Sequence, residues 1–449
     1  MSEEQKQHAQ PRATLSVADA VAMIVGIVIG VGIFKAPSIV AGNVSSDTVF
    51  LLLWLAGGIV SLIGALCYAE LGSAFPHAGG EYFFLNRAYG HRLGFMFAWA
   101  RMSVIQTGAI AAIAFVVGDY ASELWSLGPK GSAVYAAVAV IAITLLNIAG
   151  TTQTKWVQNA LTAALALGIL AVIVAGLAFA PAAAAPVAEA VPAKSGPPFS
   201  GLALIFILLT YGGWNEAAYL TAEVRDARRN IVRALVYGLV AITALYLLLN
   251  IAYLNALGLK GMADSRAVAA DLVRLAFGEG GAALLAVVVT AAALSTLNAT
   301  VFTGARTNYA LGQDFHIFAA LGRWDGRANA PVNALLVQGA ISLALVWLAS
   351  FTKDGFETLV AYTAPAFWLF FLLTGASLFL LRAQAPLNPN PFRVPLFPLT
   401  PIVFCAMCAY MLWSSVGYAA SLGSSSIGAK VGIGVLLAGI PLLLLARRR

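Results

Sequence analysis

Apolar residues in this chain fall into long runs, with polar residues gathered in the short gaps between them. A helix needs ~20 mostly apolar residues to cross a bilayer. Twelve runs come close to or exceed that length, at roughly 17–41, 49–71, 93–120, 133–149, 157–179, 200–222, 232–257, 281–305, 332–350, 356–381, 398–420 and 428–446. The pattern predicts an all-α polytopic membrane protein with twelve transmembrane helices. Two gaps have a character of their own. "PAAAAPVAEAVPAKSGPP", Pro181 to Pro198, reads as a Pro/Ala linker within a loop at 180–199. "DSRAVAADLVRLAFG", Asp264 to Gly278, has a charged and an apolar face and reads as a short amphipathic helix. It lies on the protein surface or covers an outer vestibule.

Two of the runs are interrupted. The first holds "GIVIGVGIFKAP", in which Gly26, Gly30 and Gly32 precede Lys35 and Pro37. Gly26 and Gly30 alone would fit the G-x-x-x-G spacing of closely packed membrane helices. The sixth holds "LLTYGGWNEAAYLTAEV", Leu208 to Val224, where Gly212 and Gly213 adjoin Asn215 and Glu216 at mid-span. A glycine inside a helix costs ~1 kcal/mol relative to alanine. Runs 1–5 and 6–10 form two sets of five, and an odd number of crossings inverts the second set. Glycine-interrupted helices at matching places in two inverted halves point to a transporter's binding site. That correspondence favours a break over simple packing. Unwinding bares N–H and C=O groups that hydrocarbon cannot satisfy. The positive end of a half-helix suits a carboxylate, and bare carbonyls suit an ammonium or a cation. An amino acid backbone carries both charges.

Composition agrees with a membrane protein. Only 10% of the 449 residues are charged, against about 25% in a soluble domain, and mean hydropathy is +0.87. Residues 1–16 contain no apolar stretch of the signal-peptide kind and read as a cytoplasmic tail. A net charge of +7 would suit nucleic acid or a membrane surface, but its distribution argues for topology instead. With the N-terminus inside, 17 of the 26 basic residues fall in inner segments, seven in outer segments, and Lys35 and Arg101 within spans. The positive-inside rule then places both termini in the cytoplasm of a cell with this protein in its cytoplasmic (inner) membrane. Nucleic acid is thereby excluded as a partner, and the lipid bilayer is implied. The three cysteines offer no disulfide framework. Cys405 and Cys408 read as small core residues.

The interrupted runs and three further stretches resemble a known family. "GIVIGVGIF" is similar to its span 1 motif, "CYAELGSAFPHAGGEYFFL" (Cys67 to Leu85) to the segment after span 2, and "YGGWNEAAYLTAEVRDARRNI" (Tyr211 to Ile231) to its span 6 signature. "STLNATVFTGART" (Ser295 to Thr307) resembles its span 8 pattern, and "PFRVPLFPLTPIVF" (Pro391 to Phe404) its loop into span 11. The family is the amino acid–polyamine–organocation superfamily, and within it the L-type amino acid transporters and their bacterial relatives. The resemblance covers nearly the whole chain. It implies a five-plus-five inverted repeat (17–179 and 200–381, a transport core spanning 17–381) followed by two accessory helices within 398–446. It implies that a substrate carboxylate meets the N–H groups of Val31 and Gly32, beside Gly30. The ammonium would meet carbonyls near Val28, Leu209 and Thr210, and Asn215 would support the unwound stretch after Gly212. Val31 stands where the family carries serine, Leu209 where it carries a gating aromatic, and Leu165 where L-type members carry a lysine reaching spans 1 and 8.

The pocket so predicted is uncharged (Val31, Leu209, Ala109, Ile110, Asn215), which suggests neutral amino acids. A cationic amino acid or polyamine carrier, with Glu216 as counter-charge, is the alternative. Coupling has three readings. Ser295 and Thr296 join carbonyls near Gly26 and Ile29 around sodium, or bond back to their own helix; a buried Glu216 carries a proton; or the carrier exchanges substrates without an ion. Lys35 snorkels to the interface or serves an outer gate. Arg101 reads as an inner ion pair, and Glu70 and Glu81 as solvated groups or inner-gate salt bridges. No cofactor beyond a coupling ion is implied. A membrane-embedded enzyme would need a nucleophile, base or metal ligands clustered at one depth, and no such motif occurs. Oligomeric state is left open.

Overall fold

The computed structural model describes residues 17–75, 80–149, 155–179, 200–215, 227–326, 330–384, 386, 390–420 and 426–446. The expected tail at 1–16, the linker at 180–199 and Glu216 lie outside them. The described residues are helical apart from loops and isolated bridge positions, among them the pair Asp325 and Ala330. The helices are α1 (Val17–Val28), α2 (Ala36–Ala41), α3 (Asp47–Ala74), α4 (Gly80–Tyr89), α5 (His91–Ala100), α6 (Gln106–Leu124), α7 (Gly131–Ile148), α8 (Lys155–Val174), α9 (Gly201–Thr210), α10 (Ala227–Asp264), α11 (Val268–Asp314), α12 (Val332–Ala349), α13 (Gly355–Arg382), α14 (Leu399–Ala420) and α15 (Ser426–Leu445). Among the described residues, nine helical stretches are long and apolar enough to cross a membrane, with shorter apolar helices at Leu165–Phe179 and Gly201–Thr210.

Local chemistry sets several boundaries. Ser46 caps α3 by accepting from the Val49 N–H (3.3 Å), and Asp354 caps α13 by accepting from the Glu357 N–H (2.9 Å). A single π-type turn, Arg101–Ile105, joins α5 to α6 into one crossing. The amphipathic helix expected at 264–278 is the first part of α11. Its apolar face buries Val268, Ala269, Leu272 and Val273. Gly278 (φ 71°, ψ −168°) then kinks the chain into the long crossing that runs on to Asp314, beyond the boundary expected at 305.

Burial separates centre from rim. The most apolar stretch of His91–Leu124 is 72% buried, whereas those of α14 and α15 are 28% and 22% buried. The third crossing is therefore the axis, packed by α7, α11 and α13, and the last two helices are peripheral, packed on α13. Outside that core the surface stays apolar, with Leu52, Ile59, Val138, Leu284, Trp347 and Trp413 exposed, as lipid contact requires. Close approach at the axis demands glycine at position 304, where a Cβ would lie 2.3 Å from Gln338 Oε1 and 2.6 Å from Gln106 Cγ. Those amides knit the crossings together: Gln106 Nε2 donates to the Thr300 carbonyl (2.8 Å), and Gln338 Nε2 to the Val301 carbonyl (3.0 Å). Satisfying such groups internally is obligatory where no water reaches them.

Candidate functional site

The first run is broken where its glycines stand. α1 stops at Val28. Gly30 is extended (φ −106°, ψ 179°), Val31–Phe34 form one 3₁₀ turn, and α2 resumes after Lys35 with Pro37 in its first turn. A 3₁₀ turn leaves its leading N–H groups without acceptors inside the turn. Here those are Val31 and Gly32, and no described residue accepts from either. The sixth run breaks in the same manner. α9 ends at Thr210, and Gly213 takes φ +105°, a conformation that suits only glycine.

The two breaks face each other. A Cβ on Gly32 would lie 3.5 Å from Thr210 Oγ1. The Tyr246 hydroxyl, from α10, is 3.2 Å from the Val28 carbonyl and 3.5 Å from the Thr210 carbonyl. A phenol has one proton, so it donates to one of these at a time. Both are carbonyls that the family resemblance assigns to the ammonium. Behind them, Tyr246 packs against Trp54 (centroids 6.0 Å) and Tyr211 (5.1 Å), and the Tyr211 hydroxyl donates to the Trp54 carbonyl (3.1 Å). The far end of the 3₁₀ turn is held by Tyr120, whose hydroxyl donates to the Phe34 carbonyl (2.9 Å). α6 and α11 complete the surround by packing on the same turn.

The other expected site residues fall as follows. Val28, Val31, Thr210, Asn215 and Ile110 are buried, and Leu209, Gly30, Gly32, Gly212 and Ala109 are partly buried. Ile29 and Ser295 are buried, whereas Gly26 is exposed on α1. Thr296 donates its proton to the Ala292 carbonyl one turn earlier (3.1 Å). Leu165 is buried on α8, which packs against α11.

An amino acid permease model matches residues 15–437. The chain belongs to the amino acid permease family. The mouse large neutral amino acids transporter small subunit 2 is 30% identical over 446 residues, covering 96% of this chain and 80% of the relative. The mouse b(0,+)-type amino acid transporter 1 is 29% identical over 406 residues, covering 88% and 81%, and its human counterpart is 27% identical over 425 residues, covering 91% and 85%. These relatives are transporters and not enzymes, and this permease is a transporter of the same superfamily.

Of the two readings of Lys35 in this permease, snorkelling is overturned. Lys35 is 1% exposed, and its ammonium sits 2.8 Å from Asp119 Oδ2, 2.9 Å from Asp354 Oδ2 and 3.3 Å from the Arg266 carbonyl. Asp119 also accepts from the Ser132 hydroxyl (2.6 Å). A buried ammonium needs such partners, because its desolvation is otherwise uncompensated. The cluster ties the broken first run to α6, to the start of α13 and to the segment before α11. Sequence reasoning missed Asp119 and Asp354. The available signal was a carboxylate near the same end of the third run as Lys35 is of the first. At the opposite end, Glu70 and Glu81 are buried and not solvated. Glu70 meets Arg382 (3.2 Å), Arg393 (3.0 Å) and the Val394 N–H (2.7 Å). Glu81 accepts from the Tyr68 hydroxyl (2.7 Å) and lies 3.6 Å from Arg101.

Proposed function

We propose that this permease is a secondary carrier of neutral amino acids that works by alternating access across the cytoplasmic membrane, with both termini in the cytoplasm and Lys35 on the outer side. The observation that carries the reading is the meeting of two interrupted helices. On one side stand the N–H groups of Val31 and Gly32, which suit a carboxylate. Across from them are the Val28 and Thr210 carbonyls, which suit an ammonium once Tyr246 yields them. Among the described residues, the side chains expected to line the pocket at the breaks (Val31, Ala109, Ile110, Leu209 and Asn215) are uncharged, Glu216 lying outside the described residues, and the mouse relative named for large neutral amino acids supports the same class.

The proposed architecture is twelve crossings, with two inverted sets of five around the breaks and two peripheral helices. In it the Lys35–Asp119–Asp354 cluster closes the outer side and must open for substrate to enter. The test is counterflow in proteoliposomes loaded with unlabelled amino acid, followed by a competition panel against labelled L-leucine. Competition by neutral amino acids is expected. Competition by L-arginine, L-lysine or polyamines alone would replace the neutral reading with the cationic one.

A further inference from the structure

Directly above the Lys35 cluster lies a cavity of about 190 Å³. Its floor is Lys35, Asp119 and Asp354, and its walls carry Lys130, Arg266 and Lys353. Four cations thus face two carboxylates, an excess of two positive charges. Lys35 already engages both carboxylates. Lys130 rests over the Phe351 ring (4.6 Å), and neither it, Arg266 nor Lys353 pairs with a carboxylate among the described residues. The walls come from three separate places, the α6–α7 turn, the segment before α11 and the α12–α13 connection, so the charges converge from separate parts of the chain. The cavity is smaller than the about 300–1,000 Å³ of a drug-sized pocket and matches the charged head of one amino acid better than a large ligand.

We propose that this cavity is a capture site for the zwitterionic head of an amino acid arriving from outside. Lys130, Lys353 and Arg266 hold its carboxylate. Its ammonium is drawn to Asp354 and Asp119 on the floor, where it takes over the partners of Lys35. That substitution matters because pulling Lys35 away on its own would leave two carboxylates facing each other uncompensated. A visiting ammonium supplies the missing charge, so the substrate itself releases the closure beneath it. The same surplus of positive charge repels lysine, arginine and polyamines, which bring a net positive charge. The cavity therefore sorts substrates by charge before they reach the uncharged site at the breaks. This inference rests on the proposed amino acid transport and on the outward placement of Lys35.

The experiment compares wild type with Lys130→Glu/Lys353→Glu and Lys130→Gln/Lys353→Gln double variants, all as full chains. Both lysines are exposed, and thermal unfolding in detergent checks that the variants fold. Labelled L-leucine uptake from outside gives the outer apparent KM, and efflux from loaded cells gives the inner one. The charge reversal is expected to raise the outer KM by up to about tenfold, the low end of the range for steering at a charged cleft, because a zwitterion offers its carboxylate and no net charge. The inner KM should not move. Rising salt should raise the outer KM of wild type and leave that of the neutral variant flat, and L-lysine should compete better with the reversed variant. An unchanged outer KM in folded variants overturns the capture site, as does an equal rise on both faces. Wild type that moves no amino acid in either direction overturns the transport reading and this site with it, so the two failures are separate results.

Discussion

At the scale of single residues, the breaks turn on what a side chain would displace. Gly32 has room for one methyl, with Thr210 Oγ1 at ordinary contact distance (3.5 Å). The two γ-methyls of valine would press on Thr210 and cover the N–H groups proposed to meet a carboxylate. Gly32→Val is expected to abolish counterflow while the protein keeps its amount in the membrane and its unfolding temperature. Near-normal transport by that variant would refute the proposed site. Lys35 makes the opposite kind of prediction. Removing one partner of a buried pair costs on the order of 3–5 kcal/mol, so Lys35→Met should unfold at a clearly lower temperature. Adding Asp119→Asn should recover part of the loss, since one bare carboxylate is then gone. A double variant no more stable than the single would show that the bared Asp119 carboxylate is not what destabilises Lys35→Met.

At the scale of elements, α11 shows how one backbone angle divides a helix into two functions. Gly278 holds φ 71°, and no atom lies within 4 Å of where a Cβ would stand. The cost of alanine there is thus conformational alone, roughly 1–3 kcal/mol for a positive-φ, extended-ψ backbone that is essentially glycine's own. Gly280, two residues on, is equally open but carries no such angle, so alanine should stabilise the helix by about 0.5–1 kcal/mol. Thermal unfolding of Gly278→Ala and Gly280→Ala should therefore shift in opposite directions. Shifts of the same sign would mean that the kink does not persist in the folded protein. The kink's role is geometric: it lays the amphipathic segment across the end of the bundle, where Arg266 can reach the cavity above Lys35.

For the molecule as a whole, buried ion pairs stand at both ends, Lys35 with Asp119 and Asp354 at one and Glu70 with Arg382 and Arg393 at the other. A carrier that alternates must open each end in turn, and each opening has to rehydrate or re-pair these charges. Coupling belongs to this scale too. The Thr296 hydroxyl donates a hydrogen bond to the Ala292 carbonyl, but its oxygen keeps lone pairs for a hard cation. If Ser295 and Thr296 hold sodium with carbonyls near Gly26 and Ile29, replacing sodium by potassium at fixed pH and clamped voltage stops uptake. Thr296→Ala then raises the sodium requirement. Uptake indifferent to sodium removes that site and moves the test to Glu216→Gln under an imposed pH gradient.

The helical class, a chain that crosses the membrane many times and the two breaks were legible because each rests on local chemistry. Hydrocarbon demands apolar runs of a set length, and glycines at mid-run weaken a helix wherever it sits. Family membership was legible for a related reason, since the residues that bare the backbone are contiguous in "GIVIGVGIF" and "YGGWNEAAYLTAEV". What faces what was decided by packing alone. Lys35 read as a snorkelling side chain or an outer-gate group with no partner named, because its partners are 84 and 319 positions away in the sequence, and only the close approach of α6 and α13 to the first break supplies them. For Glu70 the choice between a solvated group and a salt bridge stayed open for the same reason, and packing against Arg382 and Arg393 decided it. Tyr246 carried no signal at all: an aromatic on a long apolar helix reads as core until the tertiary structure sets its hydroxyl against the carbonyls of both breaks. Apolar length and glycine placement are properties of a segment. The pairing of a buried charge is a property of the whole assembled bundle, because the partner has to arrive from another part of the chain.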